Sequence, residues 1–274
     1  MIDGMDRANP WLRRLGSLAA ASRLQRRLDP AEATGLALTV ALAVIFVAGL
    51  GFGLLAGMVT SHTGLYRYDA GVAAWGARHA TPLTVRAFRV VTQLGSTVVV
   101  VSEAVLLGLT DVLRRRRWSG AAFLLTVVLG QNLLSNGVKL LVRRDRPPIS
   151  APLHPGTGYS YPSGHTAAAA ATYAAMALLL GRGCRWPVRI WLAVAAAAVT
   201  VDVALSRVLL GVHWLTDVVG GAMLGLGWFT VCAAAFGGRL LRFGAPVELA
   251  IADESSDGGG DDRHGQAGRG TLRR

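Results

Sequence analysis

The sequence predicts an all-α, polytopic membrane bundle of six transmembrane helices. Hydrophobic residues make up 52% of the 274 positions, and the mean hydropathy of +0.43 is too apolar for an ordinary soluble domain of this length. Six windows, at about 36–59, 90–113, 121–142, 165–181, 190–210 and 215–236, approach the roughly 20 apolar residues that a helical span requires. Arginine clusters recur at alternate connections between those windows, as the sidedness of a bundle demands.

The chain opens with a basic segment, 1–33, in which "WLRRLGSLAAASRLQRRL" resembles a surface helix lying on anionic lipid heads. A solvated, flexible tail is the alternative reading. The first window exceeds the roughly 7–15 residues of a signal-peptide core and no small-residue cleavage site follows it, so it reads as a retained span. A single six-span domain over 34–240 follows. The end, 241–274, is rich in Gly, Asp and Arg with almost nothing to bury, and is expected to be disordered. There is no internal repeat, and no inverted pair of broken spans of the transporter kind.

The formal net charge is +12, but its placement argues for topology and against a nucleic-acid partner. Clusters at Arg7 to Arg27, Arg114 to Arg117, Arg182 to Arg189, and Arg239 with Arg242 all fall on one side of a six-span layout. That side is the cytoplasm, with both termini inside. The expected location is the plasma membrane, multi-pass, and the outer face then holds 60–89, 143–164 and a short turn near 210–214. Cys184 and Cys232 suggest neither a disulfide framework nor a metal set. Lys139 is the only lysine beside 27 arginines, a skew that draws attention to it.

Three polar clusters interrupt the apolar pattern. Asn132, Asn136, Lys139, Arg143 and Arg146 are spaced to line one helical face, which would be costly against lipid and should face the interior or a wet cavity. Snorkelling by the basic members is the alternative. The "RPP" run should end that helix, because a residue before proline is pushed from helical geometry. Pro162, Ser163 and Gly164 precede His165 at the start of the fourth span, where unpaired N–H groups can receive an anion. In "SRVLLGVHWLTD", His213 and Asp217 stand one turn apart, so the carboxylate can hold one ring nitrogen and leave the other as a nucleophile. An ordinary interfacial pair is the other possibility. Arg207 lies across the turn implied by Gly211. Asp202, one turn before Ser206, should support this cluster, whereas Glu103 has no evident partner.

All three clusters map to the outer ends of spans three to six. Together they match K-x6-R-P from Lys139 to Pro147, P-S-G-H from Pro162 to His165, and S-R-x5-H-x3-D from Ser206 to Asp217. In this the chain resembles the type 2 phosphatidic acid phosphatase family, the membrane lipid phosphate phosphatases, over about 120–236. The resemblance implies an active site at those outer ends that takes a membrane lipid phosphate. Lys139, Arg146, Ser163, Gly164 and Arg207 would bind its phosphate. It implies His213 as nucleophile, Asp217 as its support, His165 as general acid and then base, and no metal or cofactor. Phosphatidate, phosphatidylglycerol phosphate and undecaprenyl or other polyprenyl diphosphates all present a suitable phosphate, while oligomeric state is not readable. A related resemblance to vanadium-dependent haloperoxidases conflicts with six spans. A non-catalytic lipid-phosphate binding or translocating membrane protein is the alternative from another class; the presence of both His165 and His213 speaks against it.

Overall fold

A computed structural model describes residues 30–148 and 158–241. The expected basic segment and the expected tail fall outside the described residues, apart from 30–33 and Leu241. Eight α-helices occupy the described residues, with no strand among them: α1 (Pro30–Ser61), α2 (Tyr66–His79), α3 (Pro82–Val91), α4 (Thr97–Arg115), α5 (Ser119–Val142), α6 (Gly164–Leu180), α7 (Trp186–Leu209) and α8 (Leu215–Leu241). A short 3-10 turn, Thr92–Gly95, joins α3 to α4.

Five of the six apolar windows fall on single helices, and the second, 90–113, runs from the end of α3 through the 3-10 turn into α4. Four of them, α1, α5, α7 and α8, are alone long and apolar enough to cross a membrane. The second window qualifies only as a pair, Pro82–Gly95 with Thr97–Arg115, bent by 49°. The fourth, α6, has 17 residues. Its length is explained by its position: α6 is packed among α4, α5, α7 and α8, so it need not match the hydrocarbon thickness itself.

Local chemistry sets the boundaries. Thr81 and Thr84 form a reciprocal capping box with Pro82 in the first turn of α3. Ser96 caps α4, accepting from the N–H of Val99 at 3.4 Å. Helix α5 does not run to the proline as the sequence suggests. It stops at Val142, because Arg143 takes a left-handed conformation with φ of 49° and turns the chain. The segment 60–89, which reads as a mere connection, contains α2 and most of α3. Polar residues such as Arg67, Asp69 and Arg78 hide this pair from any search for spans.

Helix α6 is the centre of the bundle. Ala167, Ala168, Ala169, Ala170 and Ala171 are all buried, and such short side chains let neighbours approach closely. On α8, Gly221 and Gly225 exploit this. A Cβ at Gly221 would lie 2.5 Å from the carbonyl oxygen of Ser163, and one at Gly225 would overlap that of Ala167. This close contact seats the start of α8 against the start of α6. Gly225→Leu should therefore destabilise the protein by about 1–3 kcal/mol or more, read as a fall in its thermal midpoint in detergent; an unchanged midpoint would argue against the close seating.

Away from that junction, Phe123, Leu124, Val127 and Val128 of α5 form a core with Ala171, Ala175 and Leu179 of α6 and Cys232 of α8. At this end Asp111 pairs with Arg115 at 3.0 Å and with Arg182 at 3.7 Å. Two of the basic clusters thus share one end of the bundle. Cys184 and Cys232 are both free.

Candidate active site

At the opposite end, α5 finishes, α6 begins, α7 finishes and α8 begins. The motif residues come together here. Lys139 stands in the last turn of α5, with Nζ 3.4 Å from where a Cβ of Gly164 would be. The ammonium therefore lies against the first turn of α6. Ser163 is the N-cap of α6: its Oγ accepts from the N–H and the hydroxyl of Thr166, at 3.5 and 3.0 Å. Its own N–H donates to the carbonyl of Asp217 at 2.9 Å, which ties the two helix starts together.

His213 lies in the turn between α7 and α8, which closes on the carbonyl of Arg207 as it accepts from the N–H groups of Val212 and His213. The imidazole is buried. Its Nδ1 is 3.2 Å from Oδ2 of Asp217 and its Nε2 is 3.3 Å from Nη1 of Arg146. A carboxylate only accepts and a guanidinium only donates, so Nδ1 carries the proton and Nε2 presents its lone pair. Burial pushes the ring pKa down to about 4; the hydrogen bond and charge of Asp217 oppose the shift, while Arg207 and Arg146 reinforce it. At neutral pH the ring is therefore uncharged.

Three cations gather at this end of the bundle, Arg146 in contact with this nitrogen. Arg146 follows α5 on an extended segment rather than on its last turn. It donates to the carbonyls of Val212 at 2.8 Å and Gly158 at 3.0 Å, which anchors the segment before α6. Arg207 is buried in the last turn of α7 and donates to Thr92 Oγ1 at 3.0 Å. Its Nε is buried with no hydrogen-bond partner. Lys139, Arg146 and Arg207 are near enough to act on one another electrostatically, and three cations held together suit an anion far better than open water. His165 sits in the first turn of α6, beside Gly164. Among the described residues no group of three or more His, Cys, Asp or Glu is placed to hold a metal ion.

The expected stripe on α5 is only partly right. Asn132 and Asn136 bond to each other at 2.7 Å, with Asn136 exposed, and Arg143 folds back onto the carbonyl of Leu140 at 2.9 Å. The buried polar side chains of that helix are instead Gln131 and Ser135, bonded at 3.0 Å. The left-handed residue at Arg143 is the reason Arg146 leaves the stripe. Asp202 is also not where it was expected: it is exposed on α7, while the buried Ser206 one turn on donates its hydroxyl to the carbonyl of Val203. Glu103 is partly buried, with Oε2 unpaired.

Two residues of the site escaped the sequence reading. Arg144 donates to Oδ1 of Asp217 at 2.7 Å and to Oδ2 of Asp69 at 2.6 Å. Asp69, from α2, accepts from the N–H of Thr216 at 2.9 Å and from its hydroxyl. The signal available was that Asp69 is the only carboxylate in 60–89.

A bundle of helices long and apolar enough to cross a membrane, with a buried histidine held between a carboxylate and an arginine at one end, defines the class: a multi-pass membrane protein. The chain belongs to the PAP2 superfamily, which residues 120–240 match. It is 35% identical over 156 residues to phosphatidylglycerophosphatase B of Bacillus subtilis, covering 56% of this chain and 75% of that protein. It is 33% identical over 126 residues to the lipid A 1-phosphatase of Rhizobium etli, covering 43% of this chain and half of that one. The crystal structure of a transmembrane PAP2-type phosphatidylglycerolphosphate phosphatase from Bacillus subtilis superposes with a TM-score of 0.65 at 29% identity, covering 71% of this chain and 96% of that one.

Proposed function

We propose that this protein is an integral membrane phosphatase that removes a terminal phosphate from a lipid phosphate or diphosphate through a phosphohistidine. The observation that carries the proposal is the state of His213: neutral, with Nδ1 held by Asp217 and the Nε2 lone pair turned toward the cations. A lipid phosphatase reading also agrees with the names of the relatives above.

Phosphoryl transfer asks for positioning and for neutralisation of the oxygens on phosphorus. Lys139, Arg146 and Arg207 supply charge, and the Ser163 hydroxyl with the N–H of Gly164 supplies short-range donors. His213 Nε2 attacks phosphorus and the bond from phosphorus to the lipid oxygen breaks. His165 gives that oxygen its proton. Asp217 stabilises the positive charge that develops on the ring. Water then attacks the phosphohistidine, losing a proton to His165; the N–P bond breaks, inorganic phosphate leaves and His213 is regenerated. The side chains alone meet the charge requirement in this reading, so no metal is needed. Phosphate release from a panel of lipid phosphates and diphosphates, in detergent with chelator present, tests it; no release from any member would contradict it.

The proposed topology has six spans, both termini in the cytoplasm, and the site facing outside. Cys184 is exposed in the turn after α6, at the basic end of the bundle. On intact cells, an impermeant thiol reagent should label a Pro155→Cys variant but not Cys184. Labelling of Cys184 alone would reverse the orientation.

A further inference from the structure

The buried network beyond Asp217 reaches out of the motif-bearing helices into α2. Asp217 is fully occupied: Oδ2 accepts from His213 Nδ1 and, at 3.0 Å, from the N–H of Trp214, while Oδ1 accepts from Arg144. Arg144 is itself held on every side. Its guanidinium lies between the rings of Tyr66 and Trp214, 5.0 and 5.2 Å from their centroids, and its outer prong is taken by Asp69. Asp69 is 2% exposed, and its second oxygen receives the N–H of Thr216 in the first turn of α8. One carboxylate from α2 therefore balances the cation on Asp217 and caps the helix that carries Asp217. The outer face of the same short helix exposes Tyr68 and Trp75.

We infer that Asp69 and Arg144 are positioning residues for the nucleophile, acting through Asp217 to hold the His213 ring in one tautomer and to set its basicity. A bare Arg144 beside Asp217 would draw the carboxylate away from the imidazole. With Asp69 in place, the guanidinium is shared between two carboxylates, and Asp217 keeps enough negative charge to serve His213. The charged groups around the ring are Asp217 on α8, Arg207 on α7, and Arg146 and Arg144 on the segment after α5. Lys139 ends α5 and His165 begins α6, and Asp69→Asn replaces none of these residues, so its effect on the ring passes through Arg144 and Asp217. The inference rests on the lipid phosphatase reading for its kinetic arm only.

The test is Asp69→Asn, which keeps the shape and one accepting oxygen but removes the charge and replaces the second oxygen with an N–H₂ that cannot accept from Arg144 or Thr216. In purified, monodisperse protein with nitrogen-labelled histidine, the His213 signal is assigned by its loss in His213→Ala. Its titration midpoint should fall by about one pH unit in Asp69→Asn, because an uncompensated Arg144 disfavours the imidazolium. On a lipid phosphate, kcat should drop about tenfold or more while KM changes little, since the loss lies in the reacting nucleophile. Adding Arg144→Gln to Asp69→Asn removes the unbalanced cation, so the double variant should be no slower than the slower of the two single variants. If Asp69→Asn does not yield monodisperse protein, Arg144→Lys serves instead: it keeps the charge, cannot fork to two carboxylates, and should lower kcat with KM nearly unchanged. An unmoved midpoint with kcat within twofold of the parent, or single losses that simply multiply in the double variant, would overturn the inference. Wild-type protein that releases no phosphate would sink the lipid phosphatase reading instead, and leave the titration arm standing.

Discussion

Replacing His213 with alanine is expected to abolish phosphate release and phosphoenzyme together, a loss of about 10⁴-fold or more, because no nucleophile remains. The ring is buried and held by Asp217 on α8 and by Arg146 on the segment after α5, so no neighbouring side chain can take over its place. His165→Ala should behave differently. A general acid contributes about 10²–10⁴-fold, and the need for it shrinks when the leaving oxygen is already a good leaving group. With an aryl phosphate, phosphohistidine should still form in His165→Ala and then persist, because hydrolysis lacks its base. With an alkyl lipid phosphate, its formation should be lost. An equal loss for every leaving group would argue against His165 as the acid. The two histidines are thus separated by which half of the reaction fails.

The second large effect is expected at Lys139. Its ammonium lies against Gly164, across from Arg146 and Arg207. Lys139→Met should cost about 10²–10³-fold in turnover, since a charge aimed at the reacting phosphate contributes most where water is excluded. Lys139→Arg should recover only part of this, because a planar fork replaces a compact ammonium of different reach. Rates are to be compared on monodisperse variants at equal protein. Near wild-type turnover in Lys139→Met would make the lysine an interfacial snorkelling residue and remove it from the phosphate site.

Much of the arrangement was legible in the sequence because membrane helices declare themselves by length and because the three clusters recur at helix ends. Lys139, Ser163, His165, Arg207, His213 and Asp217 could be placed by spacing alone, and the structure brings them to one end of the bundle. What spacing could not convey was the path of chain between elements. The left-handed turn at Arg143 moves Arg146 off the α5 face, and Arg143 and Arg144 look alike in sequence although one is exposed and the other buried. Asp69 meets Arg144 across 75 positions, through an ion pair that no local pattern encodes. Thr92 holds Arg207 across 115 positions in the same way. Asp202 shows the converse: helical spacing put it near Ser206, but the hydroxyl bonds back into its own helix and the carboxylate points outward.

The most direct test of the central claim is to trap the covalent intermediate. Purified protein is mixed with a lipid phosphate bearing a labelled terminal phosphoryl group, with chelator present, then denatured in base and mapped by peptide. The account predicts label on the peptide containing His213, stable to base, released by acid, and missing from His213→Ala. Label that survives acid, label on any other residue, or turnover by His213→Ala would contradict it.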